Sequence, residues 1–223
     1  MTRNIHGVNK KFFYIIGKFI FYFLFKIFTK IEVIGKENPP EKGPLIVVSN
    51  HKSILDPMIL MVTLPYNIKF LAASYLFKIP FLNIILKITG MLPVKEKKED
   101  LKTLKKAIDL LKEGKVIGVF PEGGVSINEE VSEFKPGFAF LSLKTKAPIL
   151  PVAIVGSNKV LPPGKWIPKR ARIKVFIGKP IFIEKLNVEN KKEMYIFLAN
   201  YTREVICKNL YADPHAAKCG TIR

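Results

Sequence analysis

The stretch Leu45-Ile46-Val47-Val48-Ser49-Asn50-His51-Lys52-Ser53-Ile54-Leu55-Asp56-Pro57 passes from four consecutive aliphatic residues into a polar loop and then toward a second apolar segment. Four aliphatic side chains without alternation predict a strand buried on both faces, as in the interior of a parallel sheet. A second stretch has the same form: apolar residues 116–120 run into Pro121-Glu122-Gly123-Gly124. Loops at the C-terminal ends of parallel strands open on one sheet edge, where α/β proteins usually keep their chemistry.

Outward from these two segments, short apolar runs alternate with helical patterns. Residues 31–34, 69–73, 91–94, 149–155 and 172–177 also read as strands, the last half-exposed because it alternates. Helices are predicted over 53–64, on both sides of Pro80 within 75–89, and over 100–113, 137–146 and 191–210. The clearest is 100–113, where Leu101, Leu104, Ile108 and Leu111 recur at helical spacing and Gly114 follows. Strands separated by helices imply an α/β fold, a mainly parallel or mixed sheet covered by helices on both faces. Residues 31–223 read as one domain, preceded by a separate helical segment over 1–30.

That first segment is rich in Phe, with Lys18 and Lys26 interrupting residues 12–28. On a helical wheel Lys11, Lys18 and Lys26 fall within about 80° of one another, opposite a wide aromatic face. One basic stripe and one apolar face predict a helix lying in a membrane interface. A spanning helix with snorkelling lysines, a secretory signal and a core helix are the competing readings.

The 223 residues carry 37 Lys and Arg against 18 Asp and Glu, a formal charge of +19. Such a surplus implies an anionic partner: anionic membrane lipids, an acidic substrate or nucleic acid. The basic residues are scattered and no nucleic-acid motif appears, so no nucleic acid is expected. Cys207 and Cys219 are not spaced as a metal site and read as free thiols in a reducing cytosol.

A histidine with a nearby carboxylate is the common device for taking a proton from a hydroxyl at neutral pH. His51 and Asp56 have a bland alternative. Ser53-x-x-Asp56 resembles a capping box with Pro57 in the first helical turn, and His51 then bonds a backbone carbonyl. The readings are compatible, since a carboxylate fixed at a helix start can also hold an imidazole. Glu122 either binds a substrate hydroxyl or supports the site; its alternative is a turn carboxylate.

Taken in order, these segments resemble the glycerolipid acyltransferase family, in particular its bacterial 1-acylglycerol-3-phosphate acyltransferases. Asn50-His51 through Asp56-Pro57 matches the family's His-x4-Asp box, and Phe120 to Gly123 its Phe-Pro-Glu-Gly box. Phe134-Lys135-Pro136-Gly137, the Pro-interrupted run around Pro151, and Leu76 through Phe81 are similar to the intervening segments. Two positions depart. Val125 stands where the family usually has arginine after Glu-Gly, and Glu96 where an arginine follows the Pro93-Val94 pair.

The resemblance implies acyl transfer from a thioester, on coenzyme A or acyl carrier protein, to the free hydroxyl of a lysophospholipid. In that reading 1-acylglycerol-3-phosphate becomes phosphatidic acid in phospholipid biosynthesis. His51 is implied as general base and Asp56 as its orienting carboxylate. Glu122, Gly123, Lys95, Lys97 and Lys135 are implied at the substrate, the lysines replacing the absent arginines. No metal and no cofactor besides the donor are expected, and the site would lie at the cytoplasmic face of the membrane. Acylation of another lysolipid or polar acceptor, hydrolysis, and non-enzymatic binding of anionic lipid or nucleic acid remain as alternatives.

Overall fold

A computed structural model describes residues 5–80, 83, 86, 91–94, 101–126, 130–165, 167–185 and 191–211. Helix α1 (Ile5–Phe28) runs directly into β1 (Thr29–Ile34), followed by β2 (Leu45–Ser49), α2 (Asp56–Thr63) and β3 (Ile68–Ala73). Then come β4 (Leu92–Val94), α3 (Leu101–Lys112), β5 (Val116–Val119), α4 (Gly137–Thr145) and β6 (Ile149–Val155). A single helical turn α5 (Ser157–Val160), β7 (Ala171–Ile177) and α6 (Lys191–Tyr211) complete the order.

The seven strands form one sheet in the order β1-β7-β6-β2-β5-β3-β4. Every neighbouring pair is parallel except β6 with β7. Every residue of β2 and of β6 is buried, as continuous aliphatic runs at the sheet centre require. Leu45 and Val47 pack on one face with Met58, Ile59 and Leu60 of α2 and Phe25 of α1. Ile46 and Val48 pack on the other with α3, α4 and α6, through Leu111, Phe138 and Leu198. Burying each such side chain stabilises the fold by about 1.5–3 kcal/mol.

The chain leaves β2 toward α2 on one face and leaves the adjacent β5 toward α4 on the other. Loops diverging from neighbouring parallel strands open a crevice between them, the usual ligand position in such sheets. The predicted helix over 53–64 is shorter than expected, beginning at Asp56. The loop before it is held by side-chain bonds that replace helical ones. Most of the segment between Pro80 and Met91 lies outside the described residues, as do Lys95, Glu96 and Lys97. Cys219 lies outside them too, whereas buried Cys207 is disulfide-bonded rather than a free thiol.

Helix α1 exposes an apolar face, as expected, but departs from the expected basic stripe at Lys18. Tyr14 and Phe25 face the body of the protein, while Ile15, Phe19, Ile20, Phe23 and Ile27 are exposed. Lys18 does not belong to a solvated stripe. Its ammonium donates to the Leu64 carbonyl at the end of α2 (2.9 Å), and burial lowers its pKa. A wheel gives angles but not the neighbour that fills them; an unpaired helix-terminal carbonyl drew this lysine inward. Among the described residues, no helix is long and apolar enough to cross a membrane.

Tyr14 pins α1 to the sheet. Its hydroxyl donates to the Tyr66 carbonyl (2.8 Å) and accepts from the Ile68 N–H (3.2 Å). Burial pushes this hydroxyl from 10.0 up to about 12. A pKa raised in the folded state gives stability that is complete below the unfolded value and lost above it. The α1 contact is therefore expected to weaken between pH 10.0 and about 12. Tyr14→Phe leaves two backbone groups unpaired and is expected to cost about 1–3 kcal/mol. Urea unfolding checks this at neutral pH; matching midpoints for the variant and the parent would refute it.

Candidate active site

His51 leaves the end of β2 in a loop whose backbone is fixed from several sides. Asn50 makes a two-way bond to β6, accepting from the Ile154 N–H (2.8 Å) and donating to the Ile154 carbonyl (2.9 Å). The Ser53 hydroxyl donates to the Leu161 carbonyl at 2.8 Å. Between these anchors, one oxygen of fully buried Asp56 gathers three donors. Asp56 Oδ2 lies 2.9 Å from His51 Nδ1, 2.7 Å from the Lys52 N–H and 2.8 Å from the Ser53 N–H.

The protonation pattern follows from the partners. A carboxylate oxygen accepting two backbone N–H bonds is an acceptor for its third partner, so the proton lies on Nδ1. Nε2 is then the imidazole nitrogen available to a substrate. The His51 side chain is 14% exposed, enough for one face to meet a ligand. The capping box does not form: the helix starts after Leu55 without a side-chain cap and the Ser53 hydroxyl turns to Leu161, so only the Asp56 carboxylate's bond to the Ser53 N–H remains of it, beside its contact with the imidazole.

The rings form a column. Phe120 stacks on His51 at 4.1 Å between centroids and 18°, and Phe70 stacks on Phe120 at 5.6 Å and 9°. At its foot lies Gly118, where an added Cβ would sit 2.3 Å from the Phe70 ring. Any side chain at this strand position collides with the column that supports the imidazole.

Glu122 supports the site through the backbone. Its Oε1 accepts from the His51 N–H (2.8 Å) and its Oε2 from the Ser132 N–H (3.1 Å). Gly123 turns with φ +83° and donates its N–H to the Phe120 carbonyl (3.1 Å). The amides of Gly123 and Ser53 are thus both committed within the loop. Gly123 lies beside Lys135, whose Nζ would be 2.6 Å from an added Cβ. Lys135 is exposed and its N–H donates to the Pro121 carbonyl (3.0 Å), so its ammonium flanks the Glu122-Gly123 turn.

Reasoning from the sequence alone missed Lys52, Ser126 and Ser132. Lys52 is buried, and its Nζ donates to Ser126 Oγ (3.1 Å) and to the Glu130 carbonyl (2.5 Å). Burial lowers its pKa, while Glu122, Asp56 and Glu130 raise it. The Ser126 N–H closes on the His51 carbonyl at 2.8 Å. Lys52 stood inside the quoted box, but a lysine there reads as solvated until its partners are known.

The acyltransferase family model matches residues 30–155, over half of the chain. The 1-acyl-sn-glycerol-3-phosphate acyltransferase of Bacillus subtilis is 32% identical over 152 residues, covering 68% of this chain and 73% of that protein. The Borreliella burgdorferi enzyme of the same name is 37% identical, covering 58% of this chain and 52% of its own length. For the chloroplastic enzyme of Brassica napus the values are 30% identity, 81% and 53%. The chain thus spans about half the length of the latter two relatives. The crystal structure of the 1-acyl-sn-glycerophosphate acyltransferase PlsC from Thermotoga maritima superposes with a TM-score of 0.74 at 27% identity. That superposition covers 95% of this chain and 83% of that one. Both the His51–Asp56 pair and the turn that steadies it fall inside the matched stretch, and the chain belongs to the acyltransferase family.

Proposed function

We propose that the protein transfers a fatty acyl group from a thioester, on coenzyme A or acyl carrier protein, to the free hydroxyl of 1-acylglycerol-3-phosphate. The observation that carries this reading is the 2.9 Å contact between His51 Nδ1 and buried Asp56, which leaves Nε2 for a substrate hydroxyl. Nε2 takes the hydroxyl proton as the oxygen attacks the thioester carbonyl. The new C–O bond forms, the C–S bond breaks, and the imidazolium gives its proton to the departing sulfur, so the donor leaves as a free thiol and His51 returns to its neutral form. Asp56 stabilises the imidazolium between these events, and the nucleophile is the acceptor's own oxygen. The relatives' names supply the choice of acceptor.

Lys135 is exposed beside the Glu122-Gly123 turn, and we assign it to the acceptor's phosphate. Lys95 and Lys97 are proposed beside it on the sequence alone. The exposed apolar face of α1 supports placement in a membrane interface, where an amphipathic helix buries such a face among headgroups. The net charge of +19 favours anionic lipid there. The cytoplasmic face is the proposed side, because acyl thioesters would be met there.

One vesicle experiment tests these points together. Purified protein is mixed with anionic vesicles carrying 1-acylglycerol-3-phosphate or neutral lysolipids, and with labelled acyl-CoA or acyl carrier protein. Label should pass to the phosphorylated acceptor, and the protein should float with the vesicles. Lys135→Met should raise KM for that acceptor about tenfold, the worth of one charged contact. Transfer to neutral lysolipids alone would refute the acceptor, and unbound protein would refute the interface.

A further inference from the structure

Three successive backbone carbonyls, those of Glu130, Val131 and Ser132, each receive a cationic side chain. Lys52 Nζ donates to the first at 2.5 Å, while Arg203 donates through NH2 to the second (2.8 Å) and Nε to the third (3.0 Å). Both cations are buried, Lys52 at 5% and Arg203 at 6% exposure. The gripped segment is the one whose Ser132 N–H holds Glu122, and Glu122 in turn holds the His51 N–H. Arg203 lies on the C-terminal helix α6, beyond the residues that the family model matches. It is one of five arginines in a chain with 37 basic residues. Two neighbouring carbonyls call for a planar fork, which lysine cannot supply.

We propose that Arg203 is a positioning residue for acyl transfer, fixing His51 through the Val131 and Ser132 carbonyls and Glu122. This rests on the assignment of His51 as the base. The path is short and made of charged or backbone hydrogen bonds, so freeing the 130–132 segment displaces Glu122 and lets the His51 backbone shift. A displacement near 1 Å at a catalytic group is sufficient to lower turnover about a hundredfold. Arg203 itself is assigned no substrate contact, so the loss is expected mainly on kcat and not on KM.

The test compares Arg203→Met, Arg203→Lys and Leu198→Ala in the full chain. Leu198 is fully buried on the same helix, shares the apolar cluster with Val131 and has no hydrogen-bonding side chain, so its truncation reports loosened packing of α6 without loss of the carbonyl bonds. Arg203→Met is expected to lower kcat about tenfold to a hundredfold, with KM changed less than about twofold. Arg203→Lys should recover part of that loss by bonding one carbonyl. Leu198→Ala should lower the melting temperature yet keep kcat at temperatures below its own transition. Unchanged kcat in Arg203→Met, a loss confined to KM, or kcat tracking melting temperature equally in all three variants overturns the proposal. Should His51→Ala retain full turnover, the assignment of the base fails instead, and the two failures are distinguished.

Discussion

His51→Ala is expected to lower kcat by roughly 10³-fold or more, with KM for both substrates changed only a few-fold. General-base catalysis by a positioned side chain contributes about 10²–10⁴-fold. His51 sits toward the upper part of that range because its orientation is fixed three ways. Asp56 holds Nδ1, Phe120 stacks on the ring, and Glu122 and Ser126 hold the backbone on either side of the side chain. The fold should survive the change. Asp56 keeps its bonds to the Lys52 and Ser53 N–H groups, so the loop retains its shape around the gap. Activity partly restored by added imidazole, with an unaltered melting curve, would complete the expected result. Turnover equal to the parent would rule out His51 as the base.

Asp56→Asn is expected to cost about a hundredfold in kcat. An amide in this position has two orientations, and the loop selects one. The Lys52 and Ser53 N–H groups both point at Oδ2, so the amide oxygen takes that place and continues to accept from Nδ1. The tautomer is kept, and what is lost is the negative charge opposite the imidazolium. This is a smaller penalty than in an enzyme where the amide turns and reverses the tautomer, a change that costs about 10⁴-fold. The amide NH2 then replaces Oδ1, which is buried without a hydrogen-bond partner. Burying an unpaired donor costs about 1–3 kcal/mol. A lower unfolding midpoint should therefore accompany the slower turnover, and kcat within a few-fold of the parent would contradict the role given to the charge.

The sheet and its active edge were legible in the sequence, because continuous aliphatic runs such as 45–48 and 149–155 admit few other readings. The pairing of His51 with Asp56 was legible as well, since four intervening residues allow only a local meeting. What was not legible depends on partners far away in the chain. Glu122 was assigned to a substrate or to support, and only the fold shows its two oxygens taken by His51 and by Ser132. Lys18 was read from a helical wheel as part of a basic stripe, yet its partner Leu64 is 46 residues away. Arg203 left no local sign, because its two carbonyl partners are 72 and 71 residues distant. Periodicity reports which face is buried; it does not report which backbone group waits there.

The ring column over Gly118 also has a magnetic consequence. An imidazole lying flat against a phenyl ring sits in the shielding region of that ring's induced current, so its carbon-bound protons resonate upfield of those on a solvated histidine. The chain contains three histidines. Among the described residues the stacked imidazole is that of His51, and the shift of its signal depends on the 4.1 Å stacking distance to Phe120. Occupancy of the crevice, a slip of the column, or a change in charge on the imidazole each moves this one resonance, so the proposed base carries its own spectroscopic label.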